Sequence, residues 1–83
     1  MQVDILSPEK KVFSGEASAV QFPGTTGSFQ VLNNHAPMIA SLGKGVIRVK
    51  TAGAVKDFSI KGGFVEVLNN QLSVLVEGAE PIG

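Results

Sequence analysis

Apolar and polar residues alternate along most of this chain with the period of two that is typical of β-strands. In segments 20–22 and 29–31, apolar side chains flank a glutamine that points to the opposite face. The same alternation recurs in segments 46–50, 58–61, 64–67 and 72–76. Glycine and proline interrupt the pattern so often that the stretches before Gly63 are of strand length, and no segment predicts a helix of three turns.

These short segments predict a fold of about eight to ten strands. The longest segment, 64–77, contains Asn69-Asn70, and because asparagine tolerates positive φ we interpret this pair as a two-residue hairpin turn. Short strands joined by tight turns indicate an all-β, antiparallel β-sandwich or flattened barrel. We expect the following side chains to be mostly buried between its two sheets: Phe22, Phe29, Val31, Ile47, Val49, Phe58, Val74 and Val76.

The chain has 83 residues, enough for one domain with a single thin core. We assign residues 1–83 to that domain and interpret residues 78–83, where the alternation is lost, as a short tail. No stretch is apolar over the ~18 residues that a membrane-spanning helix requires, and the N-terminus has no basic region followed by an apolar run. We therefore expect no direct membrane insertion, no secretory signal and a cytoplasmic location.

The composition of the chain limits the classes of partner that it can bind. Lys+Arg and Asp+Glu both total 7, so the formal net charge is zero, whereas a nucleic-acid-binding domain usually has a basic excess. The chain has no Tyr or Trp, and its five Phe fall mostly in the core-facing phase. Because stacking on bases needs exposed aromatic residues, we expect no nucleic-acid partner.

The sequence offers few groups for catalysis or cofactor binding. His35 is the one histidine, no cysteine is present, and no elbow-type serine lies beside the histidine. A metal site needs three or four ligands, which a lone histidine and scattered carboxylates seldom supply. Segment 23–28 lacks the Gly-Lys-Ser/Thr ending of a phosphate-binding loop. We therefore predict no catalytic residue, no metal site and no cofactor, and His35 either holds backbone groups in the 33–37 bend or contacts a partner.

Several short sequence motifs, taken in their order along the chain, indicate the function more specifically than composition does. Asp-Ile-Leu-Ser-Pro-Glu begins at residue 4, and Val-Phe-Ser-Gly begins at residue 12. Segment 23–39 reads Pro-Gly-Thr-Thr-Gly-Ser-Phe-Gln-Val-Leu-Asn-Asn-His-Ala-Pro-Met-Ile, and Gly-Val-Ile-Arg-Val and Gly-Gly-Phe-Val-Glu-Val follow at residues 45 and 62. This succession, centred on segment 35–37, resembles the N-terminal domain of the epsilon subunit of F-type ATP synthases, called delta in mitochondria. The resemblance covers nearly the whole chain.

The resemblance implies a ten-stranded β-sandwich in the central stalk of an ATP synthase. It would join the gamma subunit to the c ring and couple proton or sodium ion flow to ATP synthesis, without catalysing a reaction or binding nucleotide. It would lie peripherally at the cytoplasmic side of a bacterial inner membrane. The implied c-ring contacts are Ser28, Gln30, Asn33 and Asn34, which we expect to lie exposed at one end of the sandwich. The implied gamma contacts are Ser7, His35, Met38 and Ala40.

The chain also departs from the family pattern. The family often carries an acidic residue at the position of Ser28 and Pro-Gly at segment 33–34, so hydrogen bonding would replace a salt bridge to the ring. Met38 could equally contact a partner or belong to the core. Many members continue into a C-terminal helical hairpin. Here we expect the sandwich without that hairpin, and hence no inhibition of ATP hydrolysis by a helical arm. The alternative function is a free-standing β-sandwich interaction module, and an enzyme ranks third.

Overall fold

The computed structural model describes residues 1–82, which form ten β-strands and no helix. The strands are β1 (Gln2–Leu6), β2 (Lys11–Glu16), β3 (Ala19–Gly24), β4 (Gly27–Leu32), β5 (Met38–Leu42), β6 (Gly45–Lys50), β7 (Val55–Ile60), β8 (Gly62–Leu68), β9 (Gln71–Glu77) and β10 (Glu80–Ile82). The all-β class predicted from the alternation is confirmed, as is the ten-stranded sandwich without a helical hairpin among these residues.

The strands make two layers that enclose one core. Sheet I has the order β10-β7-β6-β3-β4, and sheet II has the order β5-β8-β9-β1-β2. The two sheets join where the last residue of β3, Gly24, pairs with Leu42 of β5. Among the described strands, every pairing is antiparallel except that of β1 with β9, where the first strand inserts in parallel. This insertion places the first strand between β9 and β2 in sheet II.

The loops fall into two groups at opposite ends of the sandwich. We call the first the turn end, which comprises segments 7–10, 25–26 and 43–44. We call the second the asparagine end, which comprises segments 17–18, 33–37, 51–54 and 69–70. The predicted hairpin turn at Asn69-Asn70 is confirmed, since both residues have positive φ (51° and 61°) and Leu68 pairs with Gln71 across it.

Alternating side chains fill the space between the sheets as predicted. The predicted core residues other than Phe29 are all at most 5% exposed. Phe29 is only partly buried, and its ring stacks on that of Phe22 with the centroids 5.4 Å apart. Phe29 packs against the margin of the core on β4, so the predicted burial is confirmed fully for the other seven residues and in part for Phe29.

The core-facing interpretation is wrong for Phe64, which is 44% exposed. In β8 the inward phase belongs to Val65 and Val67, so Phe64 points outward. Gly63 precedes it with φ +151°, and a Cβ at Gly63 would contact the Leu75 carbonyl oxygen and lie 2.9 Å from the Val76 Cα atom. The backbones of β8 and β9 therefore approach each other closely at this glycine.

Residues 80–82 are not part of a tail. They form β10, which pairs with β7 through Glu80↔Ser59, Pro81↔Phe58 and Ile82↔Asp57. Ala79 is buried just before it, and Gly78 turns the chain with φ +64°. The tail interpretation of residues 78–83 is therefore wrong for this strand, since three residues are too few to show an alternation. Gly83 lies outside the described residues.

Candidate interaction surfaces

The four residues predicted to contact the c ring are all exposed. Ser28 and Gln30 lie on the outward face of β4, whereas Asn33 and Asn34 follow in the loop at the asparagine end. Five residues at ~3.3 Å each put about 16 Å between Ser28 and Asn33. The expectation that the set gathers at one end is therefore wrong, because the set follows the length of β4.

Both asparagines of this set help to hold the asparagine end together. The Met1 amino group donates to the Asn33 Oδ1 atom at 2.6 Å and to the Ala17 carbonyl oxygen at 3.0 Å. The Asn34 backbone N–H donates to the Asn70 Oδ1 atom at 2.8 Å, and Asn34 adopts φ 63°. The Asn33 contact ties the loop before β5 to the N-terminus and the Asn34 contact ties it to the β8–β9 turn, so the asparagine pair has a structural role in addition to any contact with a partner.

The residues predicted to contact gamma are half-buried, and two of them lie at opposite ends. Ser7 closes the β1–β2 turn, where its hydroxyl donates to the Lys10 carbonyl oxygen at 3.2 Å and accepts from the Lys10 N–H at 3.3 Å. His35 lies at the asparagine end, with its Nδ1 atom 2.7 Å from the Ala36 carbonyl oxygen. All four residues nevertheless belong to sheet II or to loops that flank it.

Met38 and Ala40 are half-buried on β5 and pack against the core. They share the inward phase of β5 with the buried Leu42, so Met38 contributes to the core. Ile39, between them, points outward and is 72% exposed. The phase of Leu42 is the sequence signal that identifies Ile39, rather than its neighbours, as the exposed apolar residue of this strand.

A row of exposed apolar residues that was not predicted from the sequence crosses sheet II. Leu75 of β9 pairs with Phe64 of β8 on one side and with Leu6 of β1 on the other. The three residues are 44%, 44% and 37% exposed, respectively. We call them the apolar row. Ile39 and Leu68 are exposed farther toward the asparagine end of the same face.

Two shallow grooves flank the apolar row. One, of about 460 Å³, lies between Leu75 and Asp4 over Ser73. The other, of about 400 Å³, lies toward Pro8 and Gly63 at the turn end. Contiguous exposed apolar surface with adjoining grooves is typical of a site where another macromolecule binds.

Asp4 lies beside this row in a network of side-chain hydrogen bonds. Its carboxylate accepts from the Ser14 hydroxyl at 2.6 Å, from Gln71 Nε2 at 2.8 Å and from Gln2 Nε2 at 3.3 Å. The bonds from Ser14 and Gln71 lower the pKa of Asp4, and partial burial opposes them. Asp4 is therefore held as a fixed negative charge on the outer face of sheet II.

The outer face of sheet I is more polar. The Arg48 guanidinium donates to the Asp57 carboxylate through Nε at 3.0 Å and through Nη2 at 3.1 Å. These bonds lower the pKa of Asp57 and raise the pKa of Arg48. Gln21 pairs with both Arg48 and Gln30, so a row of polar residues extends across sheet I to β4.

Charge is distributed unequally between the sheets although the chain is neutral. The strands of sheet II contain four carboxylates and one lysine, a net charge of −3: Asp4, Glu16, Glu66, Glu77 and Lys11. The strands of sheet I contain three cations and two carboxylates, a net charge of +1: Arg48, Lys50, Lys56, Asp57 and Glu80. The two outer faces thus differ in both polarity and charge.

Comparison with known proteins identifies the fold family. Residues 1–82 match the family model described as the ATP synthase delta/epsilon chain, β-sandwich domain. The chain belongs to this family. An ATP synthase epsilon chain of Leptospira borgpetersenii is 40% identical over 77 residues, which cover 93% of this chain and 61% of that protein. An ATP synthase epsilon chain of Salinibacter ruber is 42% identical over 98% of this chain and 60% of that protein.

This delta/epsilon β-sandwich domain thus spans about three fifths of the length of these relatives. A chain in the cryo-EM structure of the Tetrahymena thermophila mitochondrial ATP synthase central stalk and c ring superposes with a TM-score of 0.84 at 21% identity, over 95% of this chain and 64% of that one. At that level of identity the likeness shows the fold.

Residues 1–82 of the domain contain neither a candidate metal centre nor a candidate membrane-spanning helix. No three His, Asp, Glu or Cys side chains within that range are grouped so that they could hold a metal ion. Among the same residues there is no helix that has the length and apolar character needed to cross a membrane.

Proposed function

We propose that this chain is a non-catalytic rotor subunit of a proton- or sodium-driven ATP synthase. It links the gamma subunit to the c ring and couples ion flow to ATP synthesis, without binding nucleotide. It lies peripherally in the complex, at the cytoplasmic side of a bacterial inner membrane. Membership of the delta/epsilon family over residues 1–82 carries this proposal.

The division of the predicted contacts between the two layers supports the proposal. The gamma set, Ser7, His35, Met38 and Ala40, belongs to the strands and loops of sheet II. Ser28 and Gln30 of the c-ring set lie on β4 of sheet I, and Asn33 and Asn34 follow directly after that strand. An adaptor with one partner on each layer can bind both partners at once.

The core supports a mechanical role. Large side chains such as Phe22, Ile5, Ile47 and Leu72 are fully buried, and among residues 1–82 no buried polar side-chain atom lacks a hydrogen-bond partner. Close-packed protein interiors resist deformation and transmit strain. A rotor adaptor needs this property, because slack between its two faces would dissipate torque.

Copurification with gamma tests the first half of the proposal. The purified chain, mixed with gamma of the same ATP synthase at micromolar concentration, should elute with it in size-exclusion chromatography. An unrelated β-sandwich of similar size serves as the control. Independent elution of the two proteins would refute the proposal and would favour a free-standing interaction module.

Two matched asparagines allow the c-ring contact to be tested. Asn34 and Asn69 are both exposed at the asparagine end with positive φ (63° and 51°), but Asn34 belongs to the c-ring set and Asn69 to a turn of sheet II. Asn34→Asp combined with Gln30→Glu should weaken association of the gamma-bound chain with purified c ring and leave its melting temperature nearly unchanged. Asn69→Asp should leave both unchanged. Intact ring association in the double variant would refute the assignment.

A further inference from the structure

Strand β4 is a free edge of sheet I, because among the described strands it pairs only with β3. The Pro23 carbonyl oxygen of β3 accepts from the Gly43 N–H at 2.8 Å, on the side of β3 away from β4. Backbone groups alternate between the two sides of a strand, so Ser28, which is paired with Pro23, directs its N–H and C=O away from β3. Gln30 and Leu32 follow at intervals of two residues and direct theirs the same way.

β4 lacks the features that protect sheet edges from pairing with another chain. Its sequence, Gly-Ser-Phe-Gln-Val-Leu, has no charged residue and no proline. By contrast, the edge strand β2 carries Lys11 and Glu16, and β10 has three residues and contains Pro81. On β5, the outward-directed Ser41 carbonyl oxygen already accepts from the Thr25 N–H at 3.1 Å. Since charge, proline and short length all hinder pairing, β4 is the edge best suited to accept another strand.

A strand added beside β4 would also cover apolar surface. Phe29 lies in the inward phase of β4 but is only partly buried, although its ring stacks on that of Phe22. Leu32, in the outward phase, is 53% exposed. Both side chains lie next to the free edge, so pairing there would remove part of their apolar surface from water and stabilise the paired state.

The backbone pattern of β4 is complementary to itself. A second copy that runs antiparallel about a two-fold axis at Gln30 places Gln30 opposite Gln30, and Ser28 opposite Leu32 of the second copy. All three residues direct an N–H and a C=O outward, so the three register pairs exchange about six interchain hydrogen bonds. Because β4 carries no charge, no like charges meet across the axis.

We propose that two copies of this chain pair through β4, antiparallel and centred on Gln30, so that their two copies of sheet I become one continuous sheet. The occupant of this edge is a second copy because β4 offers it a register that matches donors with acceptors. The inference does not rest on the proposed function. Ser28 and Gln30 also belong to the predicted c-ring set, so the pairing describes the chain when it is not bound to a ring.

Two matched glutamines test the position of the pairing. Gln30 and Gln21 are exposed and lie opposite each other on β4 and β3, but only Gln30 is at the edge. In sedimentation equilibrium from micromolar to millimolar concentration, the mass of the whole chain should rise from 8.6 kDa toward twice that value. Gln30→Glu should raise the dimer dissociation constant about tenfold or more, because it puts two carboxylates directly opposite each other at a Cα separation of ~5.5 Å.

The same substitution one strand inward is the control. Two copies of Gln21 would lie about three strand spacings apart, or ~14 Å, which is beyond the Debye length at physiological salt. Gln21→Glu should therefore change the dissociation constant less than about twofold. Added salt should reduce the difference between the Gln30→Glu and wild-type chains, because it screens the repulsion between the two carboxylates.

Proline on the edge tests the backbone hydrogen bonds. Gln30→Pro removes an N–H that points away from β3, so the β3–β4 ladder keeps its bonds while pairing with a second copy should be lost. Far-UV circular dichroism and melting temperature show whether each variant is folded, and Gln30→Glu decides the question if Gln30→Pro is not. The chain has no cysteine, so a short bis-maleimide should cross-link Gln30→Cys into a dimer and leave Gln21→Cys monomeric.

The outcomes are distinct from those that test the rotor role. A chain that stays monomeric at every concentration overturns this inference, and so does a dimer that neither Gln30→Glu nor Gln30→Pro weakens, since that dimer uses another surface. A dimer that both Gln30 variants weaken and Gln21→Glu does not is the result expected. Coelution with gamma depends on none of these results, so a failure here leaves the proposed function standing.

Discussion

Three phenylalanines place the same side chain at three levels of burial, so one substitution tests how burial sets the stability of this sandwich. Phe22 is fully buried, Phe29 is partly buried against it, and Phe64 is 44% exposed on sheet II. We expect truncation to alanine to lower the free energy of unfolding most at Phe22, less at Phe29 and least at Phe64.

The magnitudes follow from buried area. A buried phenylalanine removes roughly 150 Å² or more from water, which at ~25 cal/mol per Å² gives about 4 kcal/mol. Phe22→Ala should therefore cost about 3–5 kcal/mol, including the cavity. Phe29→Ala should cost about 2–3 kcal/mol and Phe64→Ala about 1–1.5 kcal/mol, since each exposes less new surface. At ~0.05–0.15 kcal/mol per residue the whole domain has only about 4–12 kcal/mol of stability.

Urea unfolding followed by far-UV circular dichroism measures these losses. The slope of unfolding free energy against urea should stay constant across the series, because each variant exposes a similar total surface on unfolding. Phe64→Ala is the control for loss of an aromatic ring without loss of core. Equal destabilisation at Phe22 and Phe64 would refute the reasoning, since the structure buries one and exposes the other.

Three further changes test particular contacts. Gly63→Ala should lower the free energy of unfolding in urea by about 2 kcal/mol or more, because the added methyl meets the backbone of β9 at a positive φ. Gly53→Ala is the control and should cost less than about 0.5 kcal/mol, because the space around Gly53 is open. The folded pKa of Asp4 lies below its ordinary 3.8, so its stabilisation is complete above about pH 4 and is lost as the pH falls through the lowered pKa. Asp4→Asn should therefore lose less thermal stability than wild type on acidification below about pH 4, and equal losses would contradict this. Asn70→Ala should lower the free energy of unfolding by about 1–2 kcal/mol, because alanine tolerates the positive φ poorly and the bond to Asn34 is lost. Asn70→Gly should recover only the share that is due to the positive φ. Equal stability of the two variants in chemical unfolding would contradict this.

Sequence alternation predicted most of the fold because side-chain phase and burial are directly linked in a strand. Ile47 and Val49 are in phase and buried, and Val74 and Val76 behave in the same way. The turn at Asn69-Asn70 was equally predictable, because few residues other than glycine tolerate two successive positive φ values.

The incorrect predictions concern residues whose positions depend on tertiary strand pairing rather than on the local sequence pattern. Phe64 follows two glycines, so the phase of β8 is set by Val65 and Val67 rather than by the larger aromatic residue. The three residues of β10 show no periodicity, and only their pairing with β7 makes them a strand. Phe29 alternates correctly and packs against the core, but its partial exposure depends on how β4 lies at the edge of sheet I.

The apolar row could not be predicted from the sequence because its members come from distant parts of the chain. Leu6, Phe64 and Leu75 become neighbours only when β1 inserts beside β9. Each residue taken alone is one exposed apolar side chain, which is ordinary on a protein surface. The family resemblance supplied candidate contacts such as Ser28 and Asn33, but it supplied no geometry, and these two lie about 16 Å apart along β4.

A net charge of zero concealed the feature that distinguishes the two faces. Seven cations and seven carboxylates balance over the chain, yet the strands of sheet II have a net charge of −3 and those of sheet I a net charge of +1. Separating the sheets does not produce a large basic face among the described strands. The separation does produce one acidic, partly apolar face and one nearly neutral, polar face. One partner with a basic, partly apolar surface and another with a polar surface can bind these two faces without competing. The proposed role as an adaptor between two rotor components requires this.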